Sequence, residues 1–512
     1  MSRTRVKARG PAMRRAAAAA DEVDLRVPLA KGVRDAVNKV FPTHFSFLFG
    51  EIALYSFVVL ILSGTYLALW FDPSMTDITY DGAYDGLRGV DMSKAFASTL
   101  DISFQVRGGL FARQVHHWAA LLFLAAITVH MLRIFFTGAF RKPREGNWVI
   151  GVTLMMFGIF EGFMGYSLGD DLLSGIGLRI AGSIILTIPV IGTWLEWAIF
   201  GGEYPGDVII SRMFTAHVLI VPGLLLALIA VHLGLVWYQK HTQFPGRRPA
   251  AKAEGNVVGT RMVPTFAAHS MSLAMAVIGV LCLLGGLAQI NPIWHYGPYD
   301  PARVSTDAQP DWYMGWVEGA IRLFPPWLVS FGHYIIPVAF WPAVVLPLAM
   351  VFGMAVYPFI ERRLLNDNVP HNLLQRPRDN PVRTGLGVMA VVFYGVLLLA
   401  GGDDVISYWL RVPIEECVWT ERIGLFVLPV LAWWLTVRIC RRLQRADRIV
   451  LAHGVNTGVI VRRPGGDFLE VRQPPPGYED GEYDGAPVPR QVDERSLAER
   501  TAGSRGEVTV RR

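Results

Sequence analysis

Apolar residues in this chain do not alternate with polar ones. They gather into blocks of about 20, the length that crosses a bilayer as a helix, and charged connections separate the blocks. The clearest block, Ile52–Phe71, carries no charge. Val115–Thr137, Trp148–Leu168, Met213–Tyr238, Ser270–Ile290, Tyr334–Phe359, Thr384–Gly402 and Ile423–Val437 follow it. The third contains Glu161. The last has only 15 residues between Arg422 and Arg438, whose long side chains can snorkel to the interfaces. The pattern predicts an all-α integral membrane protein with eight transmembrane helices. A ninth stretch, Ile180–Leu195, is interrupted by Gly182, Pro189 and Gly192, and suits either a span or a surface helix.

Charge separates these two possibilities. With eight spans, the N-terminal tail and the connections Arg141–Glu145, Lys240–Arg261 and Glu361–Arg383 share one side, and each is net positive. Asp72–Arg107, Asp170–Asp207, Asp300–Arg322 and Asp403–Glu421 share the other, and each is net negative. A ninth span would scramble that alternation. The positive-inside rule therefore predicts eight spans, both termini cytoplasmic, and Ile180–Leu195 lying along the outer face. Residues 1–40 hold ten basic and four acidic side chains, which accounts for the whole formal charge of +6. That tail lacks the apolar core of a signal peptide and suits anionic lipid headgroups. Hydrophobic residues make up 52% of the chain and charged ones 18%, too apolar for a soluble or disordered protein. Three cysteines rule out a disulfide scaffold, and the charge balance beyond residue 40 rules out a nucleic-acid-binding domain. The expected organisation is a basic tail (1–45), a four-helix bundle (46–240), a second four-helix region (241–442) and a cytoplasmic extension (443–512) rich in Pro, Gly and acidic clusters.

Chemistry enters with the histidines. His116 and His130 lie 14 residues apart in the second span, and His217 and His232 lie 15 apart in the fourth. Each separation is roughly 21–22 Å along a helix, with both members near one face. The second and fourth spans run in the same direction, so His116 pairs in depth with His217 near the outer side. His130 pairs with His232 nearer the cytoplasm. The first and third spans carry Gly50 and Gly64, and Gly151 and Gly165, both pairs 14 apart and at the same two depths. Missing side chains opposite two imidazoles leave room for a flat, wide group, and haem fits. The chain has no Cys-x-x-Cys-His, so the haem would be of b type. A lone intramembrane histidine or glycine usually serves packing, but four of each in register do not read that way. His117 points about 100° away from His116 and is read as structural. Arg113 and Arg133 lie one turn from ligand positions, and Arg212 five residues before another. They suit bidentate binding of haem propionates, although interfacial arginines are common.

Phe49-Gly50, Arg113-x-x-His116, His130-x-x-Arg133, Gly165-Tyr166, Ile188-Pro-x-Ile-Gly-Thr193, Glu196-Trp197, Gly201-Gly202, Arg212 through His217 and Pro310-Asp-Trp-Tyr313 together carry a resemblance. Over roughly residues 40–440 the chain resembles cytochrome b of the cytochrome bc complexes. The 15-residue histidine spacing is like the b6 branch, the joining of all eight spans in one chain is not, and several connections look actinobacterial. The resemblance implies a di-haem bundle in the first four spans, outer-face surface helices, a low-potential outer haem on His116 and His217, and a high-potential inner haem on His130 and His232. It also implies a quinol:cytochrome c oxidoreductase working with a Rieske-type iron–sulfur subunit, a cytochrome c-type subunit and a cytochrome c oxidase in a supercomplex, the chain itself dimeric. The quinol is expected to be menaquinol.

The family's outer quinol site carries Pro-Glu-Trp-Tyr. Here Asp311 replaces the glutamate, one methylene shorter. Asp311 sits in a locally apolar outer loop, where a carboxylate suits proton acceptance, and Glu318 lies two helical turns on. The two are expected to relay quinol protons outward, with Tyr313 and Tyr166 lining the pocket. A helix N-cap is the plainer role for Asp311, and a solvated loop charge for Glu318. Glu161, one turn from Gly165, must be neutral, paired or facing a cavity. The inner quinone site has no clear residues: Trp237 stands where relatives have histidine, and His241, Lys252 and Asp35 are available. A di-haem anchor of another oxidoreductase would usually have fewer spans. A proton-coupled transporter would show half-to-half repeats, which this chain lacks.

Overall fold

The computed structural model describes residues 29–475, apart from 247–248, 305–308 and 333, together with 478 and 488. Among the described residues, eight helices are long and apolar enough to cross a membrane. They are α1 (Phe45–Ala68), α3 (Gly109–Phe136), α4 (Glu145–Ser167), α7 (Ile209–Gln239), α8 (Met262–Leu287), α10 (Trp341–Leu365), α11 (Pro381–Ala400) and α12 (Ile414–His453). Shorter helices between them include α2 (Lys94–Phe104), α5 (Leu172–Leu186), α6 (Gly192–Phe200) and α9 (Trp312–Leu323). Four two-stranded antiparallel ribbons complete the chain: β1 (Val40–Phe41) with β4 (Thr260–Arg261), β2 (Asp77–Thr79) with β3 (Asp91–Ser93), β5 (Val329–Phe331) with β6 (Tyr334–Ile336), and β7 (Val455–Arg462) with β8 (Phe468–Gln473). The spans are apolar all round, as helices surrounded by lipid and other helices must be. Leu219, Leu283, Phe352 and Phe426 are accordingly exposed large side chains in mid-span.

The first four spans, α1, α3, α4 and α7, enclose two cavities. One of about 470 Å³ opens toward the acidic connections, and one of about 1070 Å³ toward the basic ones. Between them lies an apolar plug of Ala53, Phe57, Phe123, Leu124, Leu154, Val221 and Leu225, with Phe57 and Phe123 at a ring separation of 5.6 Å.

Several spans begin before their expected limits, the first at Phe45 and not Ile52 and the fifth at Met262 and not Ser270, and the sixth and eighth are redrawn at both ends. The sixth span, expected at Tyr334–Phe359, begins at Trp341. Tyr334–Ile336 instead pairs with Val329–Phe331 around Gly332 at φ +60°. Pro337 disfavours helix in the residue before it, and Pro342 supplies the fixed φ of a first turn. At its far end α10 runs on to Leu365, because Glu361 accepts hydrogen bonds from the buried Arg383 on α11 (Nε to Oε2, 2.9 Å). The eighth span, expected as 15 residues, is part of a 40-residue helix. The residues after Arg438 are mostly good helix formers, and their buried face holds Cys440 and Asp447, the latter 3.1 Å from Arg378. The helix passes position 442 unbroken and ends at Gly454, where the β7–β8 hairpin begins. The rest of the expected extension, apart from Tyr478 and Val488, lies outside the described residues, as do residues 1–28 of the basic tail.

Ile180–Leu195 does not cross. It forms the end of α5 and the start of α6, broken at Pro189 and Val190 (φ +68°). Asp171 starts α5 with a capping box, its carboxylate accepting from the amides of Leu173 and Ser174.

Candidate functional site

In the acidic-side chamber, α3 brings His116 and α7 brings His217 to a ring-centroid separation of 6.3 Å, with planes at 79°. Metal–imidazole bonds of about 2.0–2.1 Å would let a metal ion fit between rings separated by this order of distance. The two imidazoles are thus close enough to share one ligand. Each ring is held by its other nitrogen. His116 Nδ1 lies 2.9 Å from Ser63 Oγ, which itself donates to Val59 O. His217 Nδ1 lies 3.0 Å from Glu161 Oε1.

His217 lies in a π-turn, Ala216–Ile220, between two regular stretches of α7. A π-turn absorbs one extra residue. The 15-residue spacing on α7 thus matches the 14-residue spacing on α3 in three dimensions.

The glycines face these rings directly. A Cβ on Gly165 would come within 2.5 Å of His217, on Gly64 within 3.0 Å of His116, and on Gly50 within 3.1 Å of His130. Gly151 is looser, its nearest contact being His232 at 3.9 Å. At Gly50, Gly64 and Gly165 an imidazole edge approaches the space that the missing side chain leaves. His130 and His232 line the basic-side chamber with Gly50, Gly151 and Arg133.

The three arginines take different places. Arg113 Nη2 donates to Asn291 O at 2.8 Å, while its buried Nε has no partner among the described residues. Arg133 packs over Phe47 at 4.2 Å, with buried Nε and Nη2 unpartnered among the described residues. Unpaired buried guanidinium nitrogens at both chambers suit an anionic group. Arg212 instead donates to Ala198 O and Ile199 O at the end of α6, and is exposed.

Asp311 occupies the N-cap of α9 without its side chain capping the helix. Oδ1 accepts from His117 Nε2 at 3.4 Å and Oδ2 from Tyr313 Oη at 3.1 Å. Tyr166 lines the same chamber, its ring 6.4 Å from that of His117. His117, read as structural from its direction, is therefore Asp311's partner. Glu318 turns elsewhere. It accepts from Arg322 at 2.5 Å, and Arg322 also holds Asp404 at 3.1 Å. Burial raises the Glu318 carboxyl against the pull of Arg322. No hydrogen bond joins it to Asp311 among the described residues.

On the basic side, His241 packs edge-on to Phe41 at 4.7 Å and is pushed down to about 4 by burial, then by Lys39, Arg144 and Arg133. Lys39 stands over Trp237 at 3.9 Å. Lys252 lies 5.2 Å from the Tyr478 ring, and Asp35 is exposed. Glu51, on the chamber wall, accepts from Ser270, which is joined to Tyr55 Oη at 2.5 Å. Sequence reasoning passed over this chain, and only Glu51 directly after Gly50 hinted at it.

Residues 121–298 match the family profile described as Cytochrome b(N-terminal)/b6/petB. A relative from Corynebacterium efficiens, described as a cytochrome bc1 complex cytochrome b subunit, is 55% identical over 485 residues, covering 94% of this chain and 89% of its own. The chain belongs to the family of cytochrome bc1 complex cytochrome b subunits. Relatives of the same description in Mycobacterium tuberculosis and Streptomyces coelicolor are 54% and 48% identical, covering 94% and 92% of this chain and 88% and 85% of theirs. A chain of a solved hyperthermophilic respiratory Complex III shares the fold at a TM-score of 0.61 and 22% identity, covering 82% of this chain and 98% of its own. Family membership accounts for the helical multi-pass architecture and makes the chain a transmembrane component of respiratory electron transport.

Proposed function

We propose that the chain is the quinol-oxidising, di-haem subunit of a proton-translocating quinol:cytochrome c oxidoreductase. Its acidic connections face outward and both termini face the cytoplasm. His116 and His217 hold an outer b haem, and His130 and His232 an inner one. Arg113 and Arg133 supply the unpaired guanidinium nitrogens for propionates. When bound, the haems carry one electron of each quinol from the outer to the cytoplasmic side. The observation that carries this reading is the His116–His217 pair at 6.3 Å, with His130 and His232 lining the other chamber beyond an apolar plug.

At the outer chamber, quinol gives up two protons and two electrons. Asp311 is the proton acceptor on the chamber wall, held by Tyr313 and linked to His117; Tyr166 shapes the wall. Glu318, ion-paired with Arg322, is reached only after a proton has left the Asp311 cluster. The other electron leaves to a Rieske-type iron–sulfur partner, since three separated cysteines suit no cluster in this chain. Membership of the bc1 cytochrome b family supports a cytochrome c-type subunit and an oxidase in a supercomplex as further partners. On the cytoplasmic side, neutral His241 and the Glu51–Ser270–Tyr55 chain are the groups available to bind quinone and deliver protons. The relatives' actinobacterial sources favour menaquinone. The domain limits 1–45, 46–240 and 241–442 follow the two four-span regions, and the long α12 carries the chain into the 443–512 extension.

A pyridine haemochrome assay on the purified chain tests this: two b haems per chain are expected, and any other number overturns the di-haem reading.

A further inference from the structure

Four histidines are assigned to two haems, yet their surroundings differ. His116 rests on a hydroxyl, Ser63, that is itself donating to a backbone carbonyl and so can only accept from the ring. His130 Nδ1 has no hydrogen-bond partner among the described residues. Among those residues, His217 alone of the four has a carboxylate at ion-pair distance: Glu161 Oε1, 3.0 Å from Nδ1.

The contact is built from local geometry. Glu161 precedes Gly165 by one helical turn on α4, so the two share a face. Gly165 lets the His217 ring approach where a Cβ would meet Cε1 at 2.5 Å. The ring then presents Nδ1 to the carboxylate one turn away. The Glu161 side chain is only 17% exposed, and its other oxygen, Oε2, is buried with no partner among the described residues. His217 Nδ1 thus faces two oxygens of Glu161, the carboxylate Oε1 at 3.0 Å and the backbone carbonyl at 3.2 Å, and the carboxylate is the charged one.

We propose that Glu161 is a positioning residue that makes the outer haem the lower-potential one. A carboxylate accepting the distal N–H of a metal-bound imidazole fixes the tautomer and raises the basicity of the ligating nitrogen. A more basic donor favours ferric over ferrous iron, and hydrogen bonding to axial ligands is a recognised lever on haem potential. Only the outer pair carries this device, so the electron's path from outer to inner haem runs downhill by construction. The inference rests on the di-haem reading above.

The test is redox titration of the two b-haem α-bands in the intact complex. For Glu161→Gln, which keeps an acceptor and removes the charge, the outer haem's midpoint should rise and the inner one's stay fixed. The equilibrium constant for outer-to-inner transfer should fall about tenfold, or about 59 mV for one electron. Glu161→Asp should give a smaller shift in the same direction. An unmoved outer midpoint in a Gln variant that retains both haems overturns the proposal. If the Gln variant loses the outer haem, the Asp variant decides, and a wild-type midpoint there overturns it equally. Absence of two b haems in the unsubstituted chain would instead sink the di-haem reading, so the two failures are distinguishable.

Discussion

At the scale of single residues, the carboxylates on the acidic side separate by partner. Asp311 shares its oxygens between His117 and Tyr313, so Asp311→Asn should slow quinol oxidation by roughly 10²–10⁴-fold, the usual span for a general base. Both haem spectra should be unchanged, and steady-state turnover beside difference spectra checks both. Asp170 is a different case. It is buried, accepts from Ser93 Oγ at 2.5 Å, and is raised to about 7 by that burial. Its folded value lies above an unfolded one of about 3.9. Its stabilising contribution is therefore complete below pH 4 and is lost as pH rises toward 7, by up to about 4 kcal/mol. Asp170→Asn should flatten the pH dependence of thermal unfolding across that window. The depth register of the four histidines was legible in the sequence because it is one-dimensional. The partners of His117 and Glu161 were not, because contact across helices depends on rotation about each axis. The Glu161–Gly165 spacing placed the glutamate on the right face of its helix, but nothing in it named His217.

At the scale of elements, α7 shows how a numerical mismatch becomes a structural match. Its π-turn Ala216–Ile220 takes up the residue by which its histidine spacing exceeds that of α3. Deleting one residue there, for instance Leu219, should restore a plain α-helix and swing His217 by about 100° relative to His232. We expect one b haem to be lost and the inner one kept, measured by haem content and α-band spectra. The span count was readable from loop charge because one span more would break the alternation of net-positive and net-negative connections. The limits of α10 and α12 were not, since they turn on a proline before a hairpin and on a helix whose cytoplasmic half is charged.

Across the whole molecule, the second four-helix region is tied to the first through the basic-side connections. Arg383, 1% exposed, holds Glu361 between α11 and α10, donates to Gln375 and packs over Phe140 at 5.2 Å. Removing one partner of a buried pair costs about 3–5 kcal/mol. Arg383→Ala should lower the unfolding free energy by that order, read by denaturant or thermal unfolding in detergent, with the α3–α7 haem signature the last feature to fade. Fold class and site depth were readable at this scale, while the cross-links between the two regions lie in connections that carry no periodicity.

The plug of Phe57, Phe123, Leu124, Leu154, Val221 and Leu225 separates two chambers on opposite sides of one insulating layer. In the proposed scheme an electron crosses that layer and a proton does not accompany it. The bundle then behaves as a capacitor with a conducting thread: each transfer against the resting field stores work, about 2.3 kcal/mol per charge for every 100 mV crossed. The apolar residues that pack the bundle's centre would in this way make a redox step electrogenic.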